Sequence, residues 1–430
     1  MSDQSEKITD ESLARACELN MRAWYVRQIR AAGGELHGAD GLTWGYADQS
    51  LPPGYINVIP FPEFQHAAAD SQIENVVEFY RKQNAEAWCV LGRETTFDYV
   101  REHLKSWGFD FYFPSIGMGC DLSHLNENFQ TPSDLKIEIL QDISAFEKTD
   151  QHPYIGHLVH EEHRNQVKIV MSMPTLYPDE VFNFAATLNG QIVGFTMLNL
   201  AHDAAGIYYV GVLPDFQHKK IASALVAAAC RFARDRGYGM AILHTRAALI
   251  PLYGGVGFRP VTTIENWTYS KPAIEGRLPT SDEREAARKT VFYEDFLSAL
   301  LTDQPEQALD SLRQNPALVH ARFASWGGAT SLHIAAWHGY SDVVQKLIDM
   351  EAAIEAYEEG FGCTPLFWAV HGYGATARKD QVGAAEILIR AGAEVNTSNR
   401  WNESALKIAS RYDDGVLANL LRQHGAKEDR

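Results

Sequence analysis

The residues best suited to chemistry lie between Asp215 and Ala222. Asp215-Phe216-Gln217-His218-Lys219-Lys220 is a short polar loop that runs straight into Ile221-Ala222-Ser223-Ala224-Leu225, the start of an alanine-rich amphipathic segment. The first backbone N–H groups of a helix have no partner inside it, and the helix dipole adds partial positive charge there. A loop entering a helix in this way suits an anion such as a pyrophosphate, and Lys219 and Lys220 add positive charge. A second constellation, His157-x-x-His160-Glu161-Glu162-His163, has metal-ligand residue types but the wrong spacing. A zinc-protease helix needs two histidines four apart, with a glutamate beside the first, whereas His160 and His163 are three apart. No metal site is expected from it, and a solvated helix face is its plainer reading.

The elements around the loop follow without slack. Ile207 to Leu213 reads as a buried strand closed by Pro214, and the helix from Ile221 is ended by Gly237. Met240 to Thr245 is a strand and Ala247 to Tyr253 a short helix, with a further strand at Asn266 to Tyr269 closing this lobe. Upstream, Leu135 to Leu140 is a strand, Asp142 to Val170 a helical region, and Phe182–Leu188 with Ile192–Leu198 a hairpin on the favoured Asn189-Gly190 turn. The first part of the chain repeats the grammar loosely. It has a helix from Glu11 to Ala32, short strands at Trp44–Tyr46 and Tyr55–Ile59, and a helix from Ile73 to Gln83. A strand at Ala87–Leu91 and a helix from Thr96 to Trp107, stopped by Gly108-Phe109, complete it.

Val210-Gly211-Val212-Leu213-Pro214 followed by Gln217-x-x-Lys220-x-Ala222 resembles the acetyl-CoA motif of the GNAT superfamily of N-acetyltransferases, Gln/Arg-x-x-Gly-x-Gly/Ala. Pro251-Leu252-Tyr253-Gly254-Gly255-Val256-Gly257-Phe258 resembles the Tyr-x-x-x-Gly-Phe ending of the same family. The resemblance implies acetyl-CoA as co-substrate. Its pantetheine arm would pair with the backbone of Val210, Gly211 and Val212, and its pyrophosphate would meet the N–H groups of Gln217, His218, Lys219, Lys220, Ile221 and Ala222. It implies Tyr253 as the general acid beside the sulfur, the alternative being a packed turn aromatic. For the acceptor side and the unidentified base it offers Glu161, Glu162, Tyr208 and His244. One departure stands out: Lys220 occupies the place of the middle glycine. The first part of the chain resembles a worn copy of the fold, and no Val-x-Val-x-Pro-x-x-Gln equivalent is expected in it.

Beyond a Pro- and charge-rich linker from Lys271 to Arg284 the grammar changes to a repeat. Thr330-Ser331-Leu332-His333-Ile334-Ala335-Ala336, Thr364-Pro365-Leu366-Phe367-Trp368-Ala369 and Ser404-Ala405-Leu406-Lys407-Ile408-Ala409 resemble the ankyrin signature, with Thr330 and Thr364 34 positions apart. About four stacked helix pairs are expected. The fold class expected is therefore α/β, tandem GNAT-like lobes with mixed sheets flanked by helices, followed by an all-α ankyrin-repeat solenoid. The expected domains are a degenerate lobe over 1–130, a catalytic lobe over 131–272, a linker over 273–289 and ankyrin repeats over 290–430.

Composition narrows the function. The net charge of -17 disfavours nucleic acid and favours cationic ligands. No run of about 18 apolar residues is present, so no membrane span is expected, and the polar start together with five scattered cysteines without a CxxC pair fits a cytoplasmic protein. The function expected is acetyl-CoA-dependent N-acetylation of a small cationic amine, such as an amine-bearing antibiotic or toxin. Glu351, Glu355, Glu358 and Glu359, close to Tyr357, Phe361, Trp326 and Trp401 in the repeat fingers, are a candidate cation site. The alternatives are a protein acetyltransferase that docks its target on the ankyrin stack, and a non-catalytic interaction protein with a decayed lobe.

Overall fold

A computed structural model describes residues 8–39, 42–47, 57–63, 68–92, 98–140, 168–270, 277–288, 294–323, 326–358, 362–375, 380–400, 403–411 and 415–427. The chain divides into two compact units, 1–109 with 115–289, and 110–114 with 290–430.

The first unit opens with α1 (Asp10–Ala31), started by a capping box in which Thr9 and Ser12 each bond the other's backbone N–H. A hairpin follows, β1 (Glu35–Ala39) and β2 (Leu42–Tyr46), and only the second of these strands was legible in the sequence. Then come β3 (Val58–Pro60), α2 (Ala69–Lys82), β4 (Ala87–Leu91), α3 (Asp98–Ser106) and β5 (Asp110–Asp121). The second half runs β6 (Lys136–Leu140), β7 (Val181–Leu188), β8 (Gln191–Ala201), β9 (Ala204–Val212), α4 (Ile221–Arg234), β10 (Met240–Thr245), α5 (Ile250–Gly254) and β11 (Arg259–Tyr269). Asn189 and Gly190, at φ 50 and 79, make the expected left-handed hairpin turn between β7 and β8.

Nine of the described strands form one sheet in the order β3-β4-β11-β5-β10-β9-β8-β7-β6. The strand expected to close the second lobe is longer than Asn266–Tyr269 and pairs instead with β4, while β5, from the first half, pairs with β10. Each half therefore lends its last strand to the other. Residues 1–130 and 131–272 share one sheet and belong to one compact unit. Side chains alternate faces along β9: Ile207 joins the core under α4, and Tyr208 the core under α1. The segment 273–289, expected as a linker, contains α6 (Ser281–Arg288), which packs on α3 and sets the Arg284 guanidinium 4.2 Å from the Trp107 ring centre.

The described helices of the second unit form four pairs: α7 (Glu294–Leu301) and α8 (Pro305–Gln314), α9 (Ser331–His338) and α10 (Ser341–Asp349), α11 (Pro365–Ala375) and α12 (Gln381–Arg390), α13 (Ala405–Ala409) and α14 (Val416–Gln423). First helices stack on first helices, and second on second. The Thr-x-x-His signature has a physical cause here: His333 Nδ1 accepts from the Thr330 N–H at 3.1 Å, and its Nε2 meets the Cys363 carbonyl of the next repeat at 3.1 Å. No described helix is long and apolar enough to cross a membrane.

Candidate active site

The site is built on a gap between two parallel strands. β10 pairs with β9 at Ala204, Ala205 and Gly206 and then diverges, following β5 to Thr245 while β9 runs on to Val212. The cause is local. Tyr209 has φ 53, and the β8–β9 register slips between Phe195 and Met197, so a bulge turns the end of β9 away from β10. The Thr196 hydroxyl donates to the Tyr208 carbonyl at 3.1 Å, covering a peptide group at the bulge. Val210, Gly211 and Val212 are thus held on one side by β8, and their other edge faces the gap.

The loop beyond them is exposed from Gln217 to Lys220. Gln217 Nε2 donates to the Val212 carbonyl at 3.2 Å, and Lys219 Nζ donates to the Asp215 carbonyl at 2.8 Å while lying over the Phe216 ring. His218 and Lys220 have φ 61 and 59, and Lys220 is the N-cap of α4, its carbonyl accepting from the Ala224 N–H. No side chain caps α4. Its first N–H groups and the left-handed loop point to a basic, donor-rich turn beside the gap.

Tyr253 lies on α5, 7% exposed, with its ring edge-on to Phe258 at 6.4 Å. Its carbonyl accepts from Val256 and Phe258 N–H at 3.0 and 3.1 Å. Gly257 has φ +115, and an added Cβ would lie 3.1 Å from the His124 carbonyl, so this turn needs glycine.

On the α1 side, the candidates separate. The Tyr208 hydroxyl donates to Asn20 Oδ1 at 2.9 Å, its ring stacks on Trp24 at 4.2 Å, and burial holds its pKa well above the ordinary value. That hydroxyl is a core strut and a poor base. His244 sits on the part of β10 beyond its pairing with β9, 5.7 Å from the Tyr208 ring. The residue as a whole is half-buried, but its Nδ1 is sealed without a hydrogen-bond partner, and burial lowers its pKa to about 4, so it is neutral near pH 7. Glu161, Glu162 and the His157–His163 cluster lie outside the described residues, among which no group of three metal-ligating side chains occurs.

Sequence reasoning missed the strut itself. Asn20 Nδ2 donates to the carbonyls of Asn199, Ala201 and Ala204, and Arg27 bonds Asn199 Oδ1, the Leu200 carbonyl and, at 2.8 Å, Glu180. It also missed a repeat. Pro62-Glu63-Phe64-Gln65-His66 matches Pro214-Asp215-Phe216-Gln217-His218, so the Pro-x-x-Gln part of the element recurs in the first half, while Pro60 in place of a second Val leaves the full Val-x-Val-x-Pro-x-x-Gln absent there. Ala68 caps α2 where Lys220 caps α4, and both helices have 14 residues. Leu104 stands where Tyr253 stands, its carbonyl accepting from Trp107 and Phe109 N–H. The gap, however, is closed: Val58, Ile59 and Pro60, the counterparts of Val210 to Val212, pair directly with β4, and Phe61 N–H donates to the Val90 carbonyl at 2.8 Å.

Two of the finger carboxylates have backbone partners among the described residues. Glu358 is buried and accepts from the Cys363 N–H, and Glu355 accepts from the Glu394 N–H. Glu359, Phe361 and Trp401 lie outside the described residues.

A profile of the acetyltransferase (GNAT) family matches residues 142–258, and one of ankyrin repeats in three copies matches 332–430. The [ribosomal protein bS18]-alanine N-acetyltransferase of Escherichia coli K12 is 30% identical over 112 residues, 25% of this chain and 69% of that one. Inversin of Gallus gallus is 35% identical over 93 residues, 22% of this chain, which spans 8% of inversin's length. A GCN5-related N-acetyltransferase from Kribbella flavida superposes with a TM-score of 0.45 and 14% identity, over 59% of this chain and 94% of that one.

Proposed function

The chain belongs to the acetyltransferase (GNAT) family and carries ankyrin repeats, and from that premise we propose that it is an acetyl-CoA-dependent N-acetyltransferase working in its second lobe. The observation that carries this reading is the divergence of β9 from β10 beside the uncapped start of α4. When bound, acetyl-CoA supplies the activated thioester. Val210, Gly211 and Val212 hold the pantetheine amides along the open edge of β9, and the N–H groups from Gln217 to Ala222 meet the pyrophosphate, with Lys220 beside them. Holding the thioester against a neutral amine accounts for most of the acceleration. Tyr253 gives its proton to the departing thiolate and regains one from solvent, and the amine proton leaves toward solvent.

The acceptor we propose is an amine of a protein, docked through the ankyrin unit. Support comes from the repeats and from a relative named for acetylating an alanine of a ribosomal protein. A second reading, a small cationic amine such as an amine-bearing antibiotic, is favoured by the net charge of -17. The test is incubation with acetyl-CoA and either amine antibiotics, polyamines or cell lysate, read by thiol release and mass gain. Acetylated protein bands without small-amine turnover support the first reading, and small-amine turnover alone replaces it with the second. Absence of acetyl-CoA binding in a calorimetric titration at high micromolar concentration removes both.

A further inference from the structure

Between α9, α11 and α13 the second unit holds a partly open cavity of about 120 Å³ whose walls include Trp337, Phe367, Trp368, His371, Glu403 and Arg411. The Trp337 and Trp368 rings meet at 67° with centres 5.6 Å apart, and the His371 ring stacks on Trp337 at 5.2 Å. The edge-to-face indole pair and the stacked imidazole line one side of the hollow with aromatic surface. Glu403 adds a carboxylate. Its Oε1 is paired with Arg411 and its Oε2 accepts from the neutral Asn399 amide at 3.2 Å; these bonds, Arg411 first, hold its pKa below the ordinary carboxylate range. The carboxylate is therefore charged at neutral pH, with lone pairs to spare on Oε2. His371 is held below its ordinary value, by burial first and by Arg411 against the opposing pull of Glu403. Its ring adds aromatic surface to the wall. Cys363, also in the lining, is pushed up to about 12 by burial and stays a neutral thiol.

We propose that this cavity receives an alkylammonium group, as carried by a lysine side chain of a bound protein. Aromatic faces and a carboxylate around one hollow are the chemistry that holds such a cation. The volume, about four times a water's share of ~30 Å³, fits an ammonium head. The chain's charge of -17 draws basic partners toward it. Arg411 already contacts the carboxylate through Oε1, so the arriving ammonium meets Oε2. Every residue in this site belongs to the second unit.

The test titrates the full chain with tetramethylammonium chloride and with tert-butanol, a neutral group of similar shape, at constant ionic strength, reading tryptophan fluorescence. Saturable binding at least tenfold tighter for tetramethylammonium is expected. A Gly-Gly-Lys-Gly-Gly peptide should bind where its norleucine counterpart does not. Trp337→Leu should abolish binding, Trp337→Phe should retain part of it, and Glu403→Gln should weaken it severalfold with unchanged circular dichroism. Equal response to tert-butanol, absence of saturation, or undiminished binding by Trp337→Leu would overturn the proposal.

Discussion

Lys220 heads α4 in the left-handed region, at φ 59 and ψ 13, where a side chain costs roughly 1–2 kcal/mol relative to glycine. Its motif reserves the position for glycine, and the conformation supplies a reason the sequence could not: the chain must turn left-handed to start the helix. Lys220→Gly should raise stability by about 0.5–1 kcal/mol, seen as a higher urea midpoint, and leave acetyl-CoA affinity intact. A tenfold loss of affinity would instead mean that the Lys220 ammonium holds the phosphates. Tyr253 was legible because Gly257 and Phe258 mark its turn, and the structure adds its near-complete burial. Tyr253→Phe should lower turnover by roughly 100-fold or more with acetyl-CoA binding little changed. Steady-state rates and a calorimetric titration on the same preparation check both halves, and undiminished turnover would end its role as acid. Glu161 and Glu162 lie outside the described residues, while Tyr208, readable only as an aromatic in a strand, is spent on Asn20. No local pattern announces such a partner 188 positions away.

Elements were legible where one local rule sufficed and illegible where pairing decided. The β7–β8 hairpin follows from Asn189-Gly190, and the ankyrin helices from Thr330-x-x-His333 and the related Thr364-x-x-Phe367 and Ser404-x-x-Lys407. The exchange of β5 and β11 between the two halves leaves no mark in either strand, because alternation gives a strand's faces and not its neighbour. The first-half Pro-x-x-Gln was not legible because Pro60 breaks the Val-x-Val run before Pro62 and Gln65. Asn20 is the clearest element-scale strut, fixing α1 to the ends of β8 and β9. Asn20→Leu would leave the buried Tyr208 hydroxyl and the three carbonyls it serves without that donor or acceptor. About 2–4 kcal/mol should be lost, as a fall in urea midpoint at constant m. In the ankyrin stack, burial lowers the His333 pKa to about 4, and its Nδ1 accepts a backbone N–H, which a proton there would oppose. The unfolded imidazole, near 6.5, binds the proton more readily. The stabilising contribution is therefore complete above about pH 6.5 and is lost as pH falls toward 4. His244, also lowered to about 4, acts in the same window. Replacing His333 by Gln should flatten the pH dependence of stability between pH 6.5 and 4, and an unaltered slope would assign it elsewhere.

At the scale of the whole chain, the two compact units are proposed to have separate ligands, so stability need not be one quantity. Acetyl-CoA, bound at the β9–β10 gap, stabilises the unit that holds the gap by RT ln(1 + [L]/Kd), about 2.7 kcal/mol at a hundredfold excess over Kd. The ankyrin stack gains nothing from it directly, since repeats are stabilised by their own interfaces. Scanning calorimetry should therefore resolve two transitions, of which acetyl-CoA raises one. That shift should survive Trp337→Leu in the ankyrin cavity and shrink on replacing Gln217 through Lys220 together with alanine. If instead both transitions rise in step with acetyl-CoA, the repeats sense the donor site, and acceptor docking and acetyl transfer are one coupled event.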